Sequence, residues 1–356
     1  MHAHPENLKL LVAAVFCRAG SESEEANCLA EHLVESNLAG HDSHGVIRVV
    51  EYMGWVNDKK ICPNQKLAVL VDSETLLVAD GQLGYGQVVA AQAVKLGIEK
   101  ATRGGTAVVA LRRCSHLGRM GHWAEMAAAA KQVSLHFATT NGLGTLAAPL
   151  GGTERRLSAN PVAIGIPRTN ADPLVLDIAT CAIAEGKLKV ARNSGQPVPT
   201  GCILDGQGNP TTDANRYYSD PPGAILPFGG HKGYGLSVAI QLLAGALTGN
   251  GCSHHGKNQL EQGMLSIFLD PQQFECPNEF ATEVQQFVDF VKTSALATDT
   301  EEILVPGEIE SRKRAHRGQQ GIELDETTWG QLVAEARRWG IEESFIEAAQ
   351  RPVRTA

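Results

Sequence analysis

Residues 106–149 read TAVVALRRCSHLGRMGHWAEMAAAAKQVSLHFATTNGLGTLAAP, and their reading decides the fold class. TAVVALR is a short apolar run rich in β-branched residues, which predicts a strand. GHWAEMAAAAKQ is built of good helix formers, and SLHFATT predicts a second strand. Such a strand–helix–strand unit belongs to an α/β sheet covered by helices. The second strand runs into Gly142-Leu143-Gly144-Thr145-Leu146-Ala147, which has the G-x-G-x-x-A spacing of a dinucleotide loop. Its context fails. Pro149 falls where the following helix must continue. No acidic residue ends a strand ~20 residues on, where the chain reads NPVAIGIP. The stretch therefore predicts a glycine turn in a non-Rossmann sheet.

The alternation extends outward. Upstream, KLAVLV and TLLVAD flank Asp72-Ser73-Glu74 as a β-hairpin, so the sheet is expected to be mixed. QVVAAQAVKLGIEKATRGG predicts a helix. Downstream, NPVAIGIP, LVLDIA and MLSIFLD predict strands, while AIAEGKLKVARN and KGYGLSVAIQLLAGALTG predict helices. A Gly/Pro-rich connection spans Ser194 to Gly230. At the start, Leu8, Leu11, Val12, Val15 and Phe16 recur at helical spacing up to Gly20. Ser21 with Glu24 suggests a capping box for a second helix carrying Leu29 and Leu33. A polar loop, HDSHG, then leads into a third helix, VIRVVEYMGWV. Residues 1–60 with 277–356 are expected to form a helical unit, and 61–276 an α/β unit.

The chain has 356 residues, with 31 Lys plus Arg against 39 Asp plus Glu, a formal charge of −8. An acidic chain has no overall electrostatic reason to bind nucleic acid or an anionic membrane. A small anionic substrate needs locally placed cations. The eight cysteines include no C-x-x-C pair, and Cys17 and Cys28 stand in apolar surroundings. They read as buried free thiols in a reducing compartment. MHAHPENLKLL lacks the features of a secretory signal. The longest apolar run, LSVAIQLLAGALTG, is too short for a membrane span. A soluble cytoplasmic protein is expected. Cys252 with His254 and His255 lacks a fourth ligand at metal spacing, so that segment reads as a loop and no metal is expected. A triphosphate-binding loop and a G-x-S-x-G nucleophile elbow are both absent from the sequence.

Four segments carry candidate chemistry. In His41-Asp42-Ser43-His44-Gly45-Val46-Ile47-Arg48, Asp42 or Ser43 is a suitable N-cap for the third helix. His44 then lies at its positive end, with Arg48 and Tyr52 on one face. Backbone N–H groups and a guanidinium make a carboxylate receptor, and an imidazole beside them can move a proton. A plain capping loop is the competing reading. Cys114-Ser115-His116-Leu117-Gly118-Arg119-Met120 follows a strand and opens a helix, where ligands of open α/β sheets bind. A polar turn whose His caps backbone groups is the alternative there. His122 falls inside that helix as a packing or surface residue. His231-Lys232-Gly233 after Gly229-Gly230 suits a phosphate or ribose, and Glu308 of Val305-Pro306-Gly307-Glu308 could accept from a ribose or amide. Ordinary turn chemistry is the preferred reading of each taken singly.

NLAGHDSHGV, SHLGRMGHWAE, NPVAIGIP, LDIATCAIAEGK, GQPVP, GHKGYGL and LVPGE together resemble the malate/L-lactate dehydrogenase type 2 family, also called L-sulfolactate dehydrogenase-like, over nearly the whole chain. Within it, the chain is similar to the hydroxycarboxylate dehydrogenase B branch. The resemblance implies a homodimeric oxidoreductase, with NAD favoured over NADP as cofactor. It implies a family-specific non-Rossmann fold, with a substrate-binding loop in the helical unit and the cofactor on the α/β unit. By the same resemblance Ser43, Arg48 and Tyr52 bind substrate, and His116 and His44 are catalytic. His44, Gly118, Arg119, Met120, Asp177, Ile178, Ala179, Thr180, His231, Lys232, Gly307 and Glu308 surround the cofactor. Cys181 and Ser158-Ala159 depart from the residues common there. The implied reaction passes a hydride between nicotinamide and the C2 carbonyl of a 2-oxo acid, with an imidazolium of near-neutral pKa giving the proton. His116 is expected to be that acid. A cyclic imine reductase of the piperideine-carboxylate type, or an inactive ligand-binding relative, are the alternatives.

Overall fold

The computed structural model describes residues 1–256, 259–275 and 277–350, and only the backbone at positions 143, 277 and 278. Cys276, Lys257 and Asn258 of the expected loop, and residues 351–356 of the expected helical unit lie outside the described residues. The chain begins with β1 (His2–Ala3), α1 (Pro5–Arg18), α2 (Ser23–Leu38), a 3₁₀ turn at Asp42–His44, and α3 (Arg48–Asn57). Next come β2 (Ala68–Asp72), β3 (Leu76–Asp80), α4 (Gly86–Gly104), β4 (Thr106–Cys114), α5 (Met120–Ala129) and β5 (Val133–Asn141). They are followed by β6 (Val162–Ile166), β7 (Leu174–Ile178), α6 (Glu185–Ser194), β8 (Ile203–Leu204), β9 (Pro210–Thr211), α7 (Ala214–Tyr217), β10 (Ala224–Ile225) and α8 (His231–Ile240). Then come β11 (Glu261–Leu269), α9 (Pro277–Lys292), α10 (Glu308–Gln320), β12 (Ile322–Glu323), α11 (Glu326–Arg338) and α12 (Glu343–Ala349).

The principal sheet has seven strands in the order β2-β3-β4-β11-β5-β6-β7. Only β3 and β4 pair parallel, joined by the crossover helix α4; every other neighbour is antiparallel. The β4–α5–β5 unit therefore skips a position, and β11 fills it from far along the chain. The mixed sheet expected from the hairpin is what forms. Leu111, Val109, Phe268 and Met264 of β4 and β11 pack with Val89, Ala93 and Trp123 of α4 and α5. A second core gathers Leu8, Val12, Leu29, Leu33, Tyr52 and Met53 from α1–α3 with Leu332 and Ile346 from α11 and α12. Tyr85 and Val88, at the start of α4, belong to this helical core too, so α4 ties the two together. No helix of the described residues is long and apolar enough to cross a membrane.

The structure departs from or adds to the local reading of the sequence at four places. No capping box forms at Ser21: Glu22 occupies the N-cap of α2, and its N–H donates 2.7 Å to the side chain of Asn64. The long apolar helix runs as α only to Ile240, then widens to a π-helix over Gln241–Leu247. There the Oε1 of buried Gln241 accepts from Thr139 at 2.8 Å and Asn160 at 3.2 Å. The Ser194–Gly230 connection is not plain loop but carries the small antiparallel sheet β10-β8-β9. Cys17 is exposed on α1 rather than buried, whereas Cys114, Cys181 and Cys202 are buried; all the described cysteines are free.

Candidate active site

Two loops bring the chemistry together. The first is the chain between α2 and α3. Asp42 and Ser43 do not cap α3, whose N-cap position is Ile47. Asp42 is drawn instead to α10, accepting from Arg317 at 2.7 and 3.1 Å, and also from the Asn37 amide at 2.7 Å. The same Asn37 accepts from the Val46 N–H at 2.8 Å. This long-range ion pair, invisible to local spacing, pins His44 in its own 3₁₀ turn. Ser43 Oγ lies 3.1 Å from His44 Nδ1. Arg48 opens α3; its Nε donates to the Ser43 carbonyl at 2.7 Å and its Nη1 to Glu51 at 2.5 Å. Nη2 of Arg48 has no partner among the described residues.

The second loop follows β4. Gly86 at the start of α4 sits so close that a Cβ there would overlap the carbonyls of Ser115 and His116. Its N–H donates to Ser115 Oγ at 3.0 Å. Gly118 has φ +75°, and a side chain there would overlap the ring of buried His32. That ring accepts from the Arg119 N–H at 3.0 Å and packs against His122 and Trp123. His116 is thus held from both sides.

The two loops meet at the imidazoles. The rings of His44 and His116 stack with centroids 5.5 Å apart and planes 22° apart. Tyr52 Oη, fully buried on α3, lies 2.6 Å from His116 Nδ1. Gln87 of α4, also fully buried, donates to Tyr52 Oη at 2.6 Å. Burial, with Arg48 and His41, lowers the His44 pKa to about 3. Burial, then Arg48 and His44, holds His116 well below its ordinary 6.5. This corrects the expectation of a near-neutral imidazolium: both rings are neutral in the free protein, because a desolvated ring beside a guanidinium resists a proton.

The expected cofactor residues fall in three groups. Asp177 Oδ2 accepts from the Gly121 N–H at 2.7 Å, closing the start of α5 beside Met120. Arg119 is 1% exposed and paired with Glu125, which also accepts from Arg314 at 3.1 Å. Nε and Nη1 of Arg119 are without partners among the described residues. From Asp177 and Ile178 the chain passes Ala179 to Thr180, whose carbonyl accepts from Phe228 N–H at 3.0 Å. That contact places it against Gly233, beside exposed His231 and Lys232 at the start of α8. Gly307 lies against Val175 at the other end of β7. Glu308 is engaged, accepting from Lys292 at 2.6 Å and Val305 N–H at 3.0 Å. Gly186, at the start of α6, touches Ser43, so a Cβ would come 2.9 Å from the serine Cβ. His254 and His255 stay exposed, and no cluster of three metal-ligating side chains occurs among the described residues. Gln87, His32 and Asn37 are the site-shaping residues that sequence reasoning missed. Gln87 and His32 lie in no motif, Asn37 heads NLAGHDSHGV without a role legible from it, and each acts across more than one element.

Fold and site define an α/β protein with two stacked imidazoles beside a guanidinium. The chain belongs to the malate/L-lactate dehydrogenase family, whose model matches residues 3–333. It is 38% identical over 348 residues to hydroxycarboxylate dehydrogenase B of Escherichia coli O157:H7, covering 96% of each chain. A solved E. coli structure assigned to the malate/lactate dehydrogenases superposes with TM-score 0.93, 38% identity and 98% coverage of both chains. The δ1-piperideine-2-carboxylate reductase of Pseudomonas syringae superposes with TM-score 0.80 and 27% identity, covering 94% of this chain and 99% of that one.

Proposed function

We propose that the protein is an NAD- or NADP-dependent oxidoreductase interconverting 2-oxo and 2-hydroxy acids. The observation that carries this is the His116–His44 pair with Tyr52 and Arg48 at one point of the fold. When bound, a nicotinamide cofactor supplies or takes up the hydride at substrate C2. One feature of the chain fits such an anionic group: the unpaired Nε and Nη1 of buried Arg119 at the opening of α5. Arg119, with His231 and Lys232 at α8, would hold its phosphates, and Asp177 to Thr180 would line its path.

Arg48 holds the substrate carboxylate through its Nη2, unpartnered among the described residues, which fixes the face presented for reduction. That carboxylate also offsets the positive charge which keeps His116 unprotonated, so the ring gains a proton when substrate arrives. His116 then gives the Nε2 proton to the alkoxide oxygen, and in the reverse direction takes it from the hydroxyl. His44, stacked on His116, closes that side of the substrate against water. A homodimer is proposed as well. Phe287 and Phe290 on α9, with Val69, Leu70 and Val71 on edge strand β2, offer exposed apolar surface for it. Sedimentation gives the mass.

A panel of 2-oxo acids assayed with NADH and with NADPH tests the reading. Oxidation of one reduced cofactor by a 2-oxo acid supports it. Turnover confined to cyclic imino acids favours the imine reductase, which the Pseudomonas neighbour makes the second reading. No turnover with either class defeats both.

A further inference from the structure

We infer that Gln87 is a positioning residue that, acting through Tyr52, sets which nitrogen of His116 carries the proton. The inference deepens the reading of His116 as the acid–base group and rests on it for its functional meaning. Three groups form a chain from the α4 interior to the site: Gln87 Nε2 donates to Tyr52 Oη at 2.6 Å, and Tyr52 Oη lies 2.6 Å from His116 Nδ1. Gln87 and Tyr52 are both fully buried, so no water competes for the bond between them, while His116 at the end of the chain is half-buried.

The direction of each bond follows from counting donors. Gln87 Oε1 has no partner among the described residues. Turning the amide over would pair that oxygen with Tyr52 but strand an NH₂ group in the same apolar place. A buried orphan N–H is rarer and costlier than an under-satisfied carbonyl. The amide therefore faces Tyr52 with its N–H. With that donor on its oxygen, the phenol turns its own hydrogen to His116 Nδ1. Nδ1 is then an acceptor, and the proton of the neutral ring resides on Nε2, the nitrogen left for the substrate oxygen. The phenol does not itself surrender its proton, because burial raises the Tyr52 pKa well above its ordinary 10. It transmits orientation and not charge.

A glutamine suits the position because its amide offers both a donor and an acceptor. When substrate binding protonates His116, Nδ1 becomes a donor and Tyr52 Oη must accept from it. The phenol hydrogen then needs a new acceptor, and rotation of the Gln87 amide brings Oε1 to it. One amide serves both protonation states of the ring. An aliphatic side chain serves neither, and a carboxylate serves only the protonated one. The sequence context supports the placement. Gly86 lets α4 approach the His116 turn closely, and Gln87 is the next residue on that helix.

The test reads the ring nitrogens of His116 by ¹⁵N NMR in the free full-length protein, assigned with His116→Gln. In the unmodified chain Nε2 is expected in the protonated range and Nδ1 in the unprotonated range. In Gln87→Glu, followed from pH 6 to 10, ionisation of the new carboxyl should take the phenol hydrogen and invert that pattern. The acid limb of kcat/KM should move up by at least one pH unit, since the added negative charge favours the imidazolium. Gln87→Met, which removes the amide with little change of volume, should give both tautomers and a two- to tenfold lower kcat at unchanged KM. It also serves where the glutamate variant does not fold. An unmodified chain protonated on Nδ1, or a tautomer unchanged in both variants, overturns the inference. Because the spectra need no substrate, they separate it from the reading beneath it. If the tautomers respond as stated yet His116→Gln still turns over 2-oxo acids normally, the positioning stands and the role of His116 falls.

Discussion

The turn that carries His116 should not tolerate a methyl group at Gly118. The residue has φ +75°, a conformation that costs alanine about 1–2 kcal/mol. The new Cβ would also overlap the His32 ring. That ring cannot swing clear. It is 2% exposed, its Nε2 accepts from Arg119 N–H at 3.0 Å, and the rings of His122 and Trp123 lie 4.4 and 5.1 Å away. Overpacking of this kind costs about 1–3 kcal/mol, so Gly118→Ala should lose about 2–5 kcal/mol in all. Urea unfolding followed by tryptophan fluorescence measures it, as a lower midpoint at constant m-value. Gly330→Ala on α11 is the control. Nothing lies within 4 Å of its Cβ position, and alanine there should gain about 0.5–1 kcal/mol. A loss below about 1 kcal/mol at Gly118 would refute the claim that close contact with His32 shapes the turn.

Three further outcomes are expected. Arg48→Met should lower kcat/KM for 2-oxo acids by about 10- to 100-fold, the worth of a charged hydrogen bond to the substrate carboxylate; an unchanged value removes Arg48 from substrate binding. Because His116 is held below 6.5 in the free protein, its ring is already neutral at neutral pH, and moving its proton from Nε2 to Nδ1, with the Gln87 amide turned, makes it the base for oxidation. The kcat/KM for hydroxy acid oxidation should stay flat from pH 8 to 6.5 and decline only in more acid solution, and an acid limb above pH 7 contradicts this. His136, buried in β5 between the hydroxyls of Ser266 and Ser134, has its pKa lowered by burial to about 3. The unfolded chain binds that proton near pH 6.5 and the folded one does not. Stability is therefore fully present above pH 6.5 and falls by about 1.4 kcal/mol per unit towards pH 3. His136→Gln should reduce that slope by about one proton, as read by urea midpoints at successive pH values.

Much of the architecture was legible because it rests on local pattern. The hairpin at Asp72-Ser73-Glu74, the alternation around α4 and α5, and the failure of the Gly142–Ala147 fingerprint all follow from spacing and from Pro149. The central place of β11 was not legible, since nothing in MLSIFLD says that it inserts between β4 and β5. The site shows the same division. His44, Arg48 and His116 at strand and helix boundaries, and Tyr52 one turn further along α3, stand out as residue types. Their partners do not. Asp42 reads locally as a cap, yet Arg317, 275 positions away, claims its carboxylate. Burial lowers the pKa of both imidazoles, and burial is a property of the assembled fold.

The account stands most directly on the transfer of a proton by His116. The kcat/KM for 2-oxo acid reduction should be compared among the unmodified chain, His116→Gln and His44→Gln, each checked for an unchanged unfolding midpoint. A fall of about 10²-fold or more in His116→Gln, with a smaller one in His44→Gln, is the predicted result. A loss of less than about tenfold in His116→Gln while His44→Gln is inert would contradict the account and pass the acid–base role to His44.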